Sequence, residues 1–255
     1  MTDSQPCLLE ARGIQKHFGR VVALYDGNFG LRSNEVHAIV GDNGAGKSTL
    51  IKVISGVYSA DGGELLLDGA PVAIGNPREA RSLGIETVYQ DLALADDLDA
   101  AANLFLGREE LLAPPLSWFG FLDKKAMRQR AEEEMRRLKV GLQSVDQPVF
   151  GMSGGQRQAV AVARAVAWGQ RIVIMDEPTA ALGVRESGQV LELIKEVKAN
   201  GLSVIMISHN LPEVFAVADR ITVLRLGRTI TTLETAASSL ESVVGMMTGA
   251  VGVAA

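Results

Sequence analysis

The stretch Val36-His37-Ala38-Ile39-Val40-Gly41-Asp42-Asn43-Gly44-Ala45-Gly46-Lys47-Ser48-Thr49 decides the fold. Its first five residues read as a buried strand, its glycines as a tight loop, and residues 49–55 as the start of a helix. Strand, Gly-x-x-x-x-Gly-Lys-Ser loop and helix in that order form a phosphate cradle. The glycines let successive backbone N–H groups close around phosphate oxygens, and the helix start adds a favourable partial charge. Gly41, Asp42, Asn43, Gly44, Ala45, Gly46, Lys47, Ser48 and Thr49 are therefore candidate nucleotide-binding residues. Lys47 is suited to the β and γ phosphates and Ser48 to Mg²⁺.

Downstream of this stretch, short β-branched-rich runs at 85–89, 172–175, 204–207 and 221–224 alternate with helical-period segments, which predicts an α/β fold with a mainly parallel sheet. Residues 64–67, then Asp68-Gly69, then 70–72 read as a hairpin, so a small antiparallel β subdomain joins the core. From about 91 to 168 no strand is convincing. Residues 123–140 form a charged amphipathic helix there, and 113–120, with Pro114 and Pro115, a loop that exposes aromatic side chains. The expected organisation is one domain over 1–255, with a nucleotide-binding core of 1–90 and 169–255 and an inserted α-helical subdomain of 91–168.

The 255-residue length suits one such domain, and 47% hydrophobic content suits a folded globule. A net charge of −5 argues against nucleic acid as a partner. The lone Cys7, near an N-terminus expected to be mobile, cannot form an internal disulfide, which fits a reducing cytoplasm. Residues 1–5 lack the basic and apolar pattern of a secretion signal, and no run approaches the roughly 20 apolar residues that span a bilayer.

Two more segments carry chemistry. Ile172-Val173-Ile174-Met175-Asp176-Glu177 is a buried strand ending in two carboxylates at the edge where α/β sheets bind ligands. Beside a phosphate loop, Asp176 is a candidate Mg²⁺ ligand and Glu177 a candidate general base; standing alone, they would read as readily as solvated acids closing a strand. Met152-Ser153-Gly154-Gly155-Gln156 precedes a small-residue helix over 157–168, with Ser153 as its N-cap. Those residues read equally as a second anion-binding helix start and as a plain cap.

At this point the sequence resembles the ATP-binding cassette family, whose signature Leu-Ser-Gly-Gly-Gln is matched at four of five positions, with Met152 replacing leucine. In family order, Gln90 matches the Q-loop, His209 the switch histidine and Phe18 the A-loop aromatic. The resemblance implies that Phe18 stacks on adenine, that Gln90 touches Mg²⁺ or the attacking water, and that His209 donates to the γ-phosphate. It also implies ATP and Mg²⁺ as cofactors, and Ser153, Gly154, Gly155 and Gln156 completing the ATP site of a second copy, a homodimer with ATP sandwiched between. One departure stands out: where the family's D-loop has aspartate, this chain has Gly183.

Asn103-Leu104-Phe105-Leu106-Gly107-Arg108-Glu109 and Asp123-Lys124-Lys125-Ala126-Met127 are similar to the ATPases of ribose, xylose and fructose-type monosaccharide importers. A single cassette lies nearer the fructose type. The resemblance therefore implies an ATPase at the cytoplasmic face of the inner membrane, peripheral, with separate integral-membrane permease subunits and, indirectly, a sugar-binding protein outside. A nucleotide-binding regulatory module without turnover is the alternative, as is an importer ATPase for another small solute.

Overall fold

The computed structural model describes residues 6–250; the expectations for the first five residues and for the last five lie outside that range. In chain order the strands are β1 (Cys7–Phe18), β2 (Val21–Arg32), β3 (Val36–Val40), β4 (Gly62–Leu67), β5 (Ala70–Val72), β6 (Ile85–Val88), β7 (Ile172–Asp176), β8 (Ser203–Ile207), β9 (Arg220–Arg225) and β10 (Arg228–Glu234). They form a single 10-stranded sheet in the order β5-β4-β1-β2-β10-β9-β3-β8-β7-β6. The run β9-β3-β8-β7-β6 is parallel, and β5-β4-β1-β2 is an antiparallel wing. The α/β class with a mainly parallel core is thus present, and the antiparallel part is larger than the one hairpin read from the sequence.

The parallel strands are covered on both faces, as continuous apolar runs require. Val36, Ala38 and Val40 of β3, Val173 and Met175 of β7, and Val204 and Met206 of β8 point into one core. The alternate residues Ile39, Ile172, Ile174, Ile205 and Ile207 point into the other. All are fully buried, and each valine, isoleucine or methionine among them contributes roughly 1.5–3 kcal/mol.

Helix α1 (Lys47–Ile54), with Leu50, Ile51, Val53 and Ile54, covers the second face beside β1 and β2. Against the first face pack α5 (Gly154–Trp168), α6 (Val184–Ala199), α7 (Leu211–Val217) and α8 (Leu240–Thr248), with α3 (Ala100–Phe105) and α4 (Lys124–Arg137) stacked on α5 in the same core; the short α2 (Pro77–Ser82) lies with the second. Between α3 and α4 the chain makes an isolated bridge, Leu111–Leu122, and a 3-10 turn at Leu116–Phe119 where the sequence suggested plain loop, and it exposes Trp118, Phe119 and Phe121.

Several boundaries differ from the sequence reading for physical reasons. Helix α1 starts at Lys47 because Gly46 caps it in a left-handed conformation, so Lys47 and Ser48 belong to the first turn. Helix α4 runs 124–137, started by Asp123, whose carboxylate accepts from Ala126 N–H, and ended before Lys139 turns left-handed. Cys7 is not on a free end: it opens β1 and is half-buried against Gly30.

Candidate functional site

The parallel strands end together at one edge, and the loops after β3, β6, β7 and β8 enclose a pocket of about 550 Å³. Its walls bring together Asn43 to Thr49, Gln90, Asp176, Glu177 and His209. Val21, Val22, Ala23 and Ala180 complete it.

The phosphate loop is shaped by two glycines whose surroundings admit nothing larger. Gly41 has φ +155, and a Cβ there would meet Leu224 O at 2.2 Å; at Gly46, φ +103, it would meet Leu24 Cδ2 at 2.7 Å. Gly41 and Asp42 lie behind the wall rather than in it. Their carbonyls accept from Lys47 Nζ at 2.7 and 3.1 Å, which folds the ammonium back over the loop. Burial lowers the Lys47 pKa, opposed by the charges of Glu177, Asp42 and Asp176, so the cation is held in a site crowded with acids.

Asp176 closes β7 with its Oδ1 buried and without a hydrogen-bond partner. Burial first, then the charge of Glu177, push its carboxyl pKa up, with Lys52 and Lys47 pulling the other way. A buried carboxylate oxygen with no partner is costly, and a hard divalent cation satisfies it. With the Ser48 hydroxyl and the Gln90 amide in the same pocket, the donor set is all oxygen, and it fits Mg²⁺.

Glu177 follows with φ 52, a left-handed conformation rare for a side-chain-bearing residue. Its N–H donates to Ile207 O at 3.0 Å, pinning the turn to the end of β8. His209 Nδ1 lies 2.7 Å from Glu177 Oε2 and donates to the carboxylate, with the ring 69% exposed and the Glu177 side chain 17%. That bond fixes the tautomer: a neutral His209 then presents Nε2 as an acceptor, and only a doubly protonated ring donates from Nε2.

Two parts of the sequence reading lie elsewhere. Phe18, at the end of β1, is absent from the pocket wall; it is 42% exposed, edge-to-face with Tyr58 at 5.1 Å, and its cross-strand partner Val21 lines the pocket instead. The segment 153–156 is also outside it. Ser153 Oγ accepts from Gln156 N–H at 3.3 Å while Gln156 Oε1 accepts from Ser153 N–H at 3.0 Å, a reciprocal cap on α5. Met152 is buried as a leucine would be. Gly155 and Gln156 line a different groove, bounded by α6 and residues 138–141. Gly154 and Gly155 pack on Leu182 and Glu186, so this helix start is attached to the segment that follows Glu177. There Gly183 caps α6, and Glu186 reaches back to its N–H at 3.2 Å.

The residues missed by sequence reading are Val21, Val22, Ala23 and Ala180. The first three become visible only once β1 and β2 are recognised as paired strands; Ala180 had a signal in its place three residues after the candidate base.

Comparison with known proteins agrees with this geometry. Residues 24–180 match the ABC transporter family. The chain is 50% identical over 250 residues to a fructose import ATP-binding protein of Rhizobium meliloti, covering 97% of this chain and 96% of that one. It is 45% identical over 241 residues to a xylose/arabinose import ATP-binding protein of Sulfolobus acidocaldarius, covering 94% of each. Among solved structures, an ATP-binding cassette of an ABC transporter superposes with TM-score 0.79 at 26% identity, covering 94% of this chain and 98% of that one. A phosphate loop, an orphaned carboxylate and a paired glutamate at one sheet edge, in a chain 45–50% identical to two import ATP-binding proteins along nearly its whole length, lead to one conclusion: the chain belongs to the ABC transporter family, as an ATP-binding, ATP-hydrolysing cassette.

Proposed function

We propose that this cassette drives a monosaccharide importer, closing on a second copy around ATP and opening after hydrolysis. The observation that carries the reading is the meeting of Lys47, Asp176, Glu177 and His209 in one pocket on the phosphate loop. The loop N–H groups and Lys47 bind the β and γ phosphates. Glu177 orients the attacking water and takes its proton as the new P–O bond forms and the β–γ bridge breaks. Gln90 presents its amide to that water, and His209, with Nε2 protonated as well as Nδ1, stabilises the charge that spreads over the γ-phosphate oxygens. Mg²⁺, which Ser48, Asp176 and Gln90 would hold, supplies neutralisation of phosphate charge.

The second copy's Ser153, Gly154, Gly155 and Gln156 complete the site. Their position outside the pocket supports this, because an anion-facing helix start turned away from its own phosphate loop needs a partner's. Phe18 receives the adenine edge from beside Val21. The core of 1–90 and 169–255 carries the chemistry, and the helical lobe of 91–168 contacts integral-membrane permease subunits, which a sugar-binding protein supplies from outside. The cassette sits peripherally at the cytoplasmic face, a reading that the names of the import ATP-binding relatives support; among the described residues no helix is long and apolar enough to cross a membrane. The relatives' names support a monosaccharide as cargo, with fructose first.

The test has two arms. Phosphate release from the unaltered chain, together with an Mg-ATP-dependent dimer of Glu177→Gln by light scattering, tests the motor; ATP binding without turnover or dimerisation, even with permease present, leaves the nucleotide-sensing module. Uptake of labelled fructose, xylose and ribose by the assembled importer tests the cargo, and uptake of none of them removes the sugar assignment while leaving the ATPase.

A further inference from the structure

We propose that Thr179 and Glu213 form a positioning pair that sets the loop after β7 against the loop after β8, and so holds Glu177 and His209 at bonding distance. This rests on the hydrolytic reading above. His209 hangs in the short connection between the end of β8 at Ile207 and the start of α7 at Leu211, and its exposed ring has little packed around it. What places it is the first turn of α7. On the other side, Glu177 sits in a left-handed turn that a glutamate adopts only under restraint from its surroundings.

The restraint is visible on both sides. Ala180 N–H donates to Glu177 O at 3.0 Å, tightening the turn in which Thr179 lies. Thr179 is 9% exposed, and its Oγ1 donates to Glu213 Oε2 at 2.5 Å, across 34 residues of sequence. Glu213 belongs to the first turn of α7, whose Val214 N–H donates to Asn210 O at 3.1 Å, so a tether on Glu213 is a tether on the residue beside His209. Among the described residues, these two loops share two side-chain hydrogen bonds: Glu177 with His209, and Thr179 with Glu213. The first involves groups that must rearrange when a water and a γ-phosphate enter. The second lies outside the pocket wall and stays in place, so it returns the loops to the same spacing each cycle.

The experiment is steady-state ATP hydrolysis by the full chain carrying Thr179→Val, Glu213→Ala or both, with Thr179→Ser and Glu213→Gln as variants that keep a hydroxyl donor or an oxygen acceptor. Each single removal lowers kcat on the order of tenfold, since a small misplacement of a catalytic group is enough. KM for ATP changes by less than about twofold, because the phosphate loop is untouched. The conservative variants recover most of the rate, and the double variant is no slower than the slower single one. In a Glu177→Gln background Thr179→Val has no further effect. The pair is overturned if kcat is unchanged while the thermal midpoint falls, if the single losses multiply in the double variant, or if the loss persists without Glu177. Glu213 is half-exposed, so its variants carry the test where Thr179→Val fails to fold. Loss of turnover in Glu177→Gln separately tests the hydrolytic reading, and that result can stand while the pair falls.

Discussion

The two helix starts of this cassette, at Lys47 and at Gly154, have similar chemistry and opposite states. Both are glycine-rich and lead into helices that pack on the sheet. The first opens on a pocket with a buried oxygen lacking a partner and a lysine surrounded by carboxylates. The second is satisfied by itself: Ser153 and Gln156 cap each other, and neither shares the pocket. The first region therefore has an unsatisfied oxygen and a crowded cation, whereas the second is closed by its own cap and borders a different groove, the division that the proposed closure on a second copy uses. On the proposed reading, a chain with both, facing different spaces, carries two half-sites.

The largest expected effect tests the first region. Glu177→Gln removes the proposed acceptor of the water's proton, and phosphate release falls by about 10²–10⁴-fold. Nucleotide-dependent dimerisation survives, because the glutamine keeps the size and the amide still bonds to His209. A variant that turns over normally would place the base elsewhere.

The second region is tested by Ser153→Asp. Aspartate caps a helix about as well as serine, so α5 and the thermal midpoint are retained. Its charge, however, faces the partner's phosphates, and hydrolysis falls by about tenfold or more. The comparison sharpens on mixing. Ser153→Asp and Lys47→Ala chains are each strongly impaired, but a heterodimer has one site with an intact loop and an intact helix start. Random pairing recovers roughly a quarter of the unaltered activity. No recovery would mean that each chain hydrolyses ATP alone or that both sites must be intact, and titrating in unaltered chain separates these.

How much of this was legible in the sequence depends on local pattern. The loop 41–49 and the strand before Asp176 are contiguous, so their period and glycines are readable locally, and both lie at the pocket, Asn43 to Thr49 and Asp176 in its wall. The long strands β1 and β2 were not read. Asp26-Gly27-Asn28 lies mid-strand in β2 where such residues normally mark a turn, and register shifts around Gly13 break the alternation of β1. Strand β10, Arg228–Glu234, is threonine-rich and half-buried along its length, so it has no apolar run to detect. Within the site, Glu177–His209 and Thr179–Glu213 join residues more than 30 positions apart. Only the parallel pairing of β7 with β8 brings those loops side by side.

A smaller effect concerns Asp176. Its pKa is raised above the usual 3.8, so the folded state holds the proton more tightly than the unfolded chain does. Stability without nucleotide therefore declines as pH rises from about that value through the raised folded pKa, the reverse of a salt-bridged carboxylate. Asp176→Asn removes the desolvated charge, flattens this slope and lifts the midpoint at neutral pH by roughly 2–4 °C. The same variant loses the extra stabilisation that Mg²⁺ adds to ATP binding. Scanning fluorimetry against pH, with ATP in Mg²⁺ or in EDTA, reads both; a midpoint that falls at neutral pH would show that the carboxylate has a partner in the folded protein.

The smallest effect is at Phe18, where the family pattern and the geometry pull apart. Family order gives it an adenine to stack on, while in this structure its ring leans edge-to-face on Tyr58, with Lys16 Nζ 5.6 Å from its centroid. Val21, across the strand pair, holds the wall position. A ring that is partly exposed and beside the pocket adds one stacked contact, worth about 2–10-fold in affinity. Phe18→Ala accordingly raises KM for ATP within that range and leaves kcat alone, since no reacting atom is near. Phe18→Leu keeps the apolar area and loses only the stacking. If Phe18→Leu matches the unaltered chain, the base is held by apolar area that Val21 shares; if it matches Phe18→Ala, the ring turns from Tyr58 to stack on the base when ATP binds. GTP in place of ATP discriminates further, because stacking tolerates either purine, and a preference that survives Phe18→Ala must come from the wall residues Val21 to Ala23.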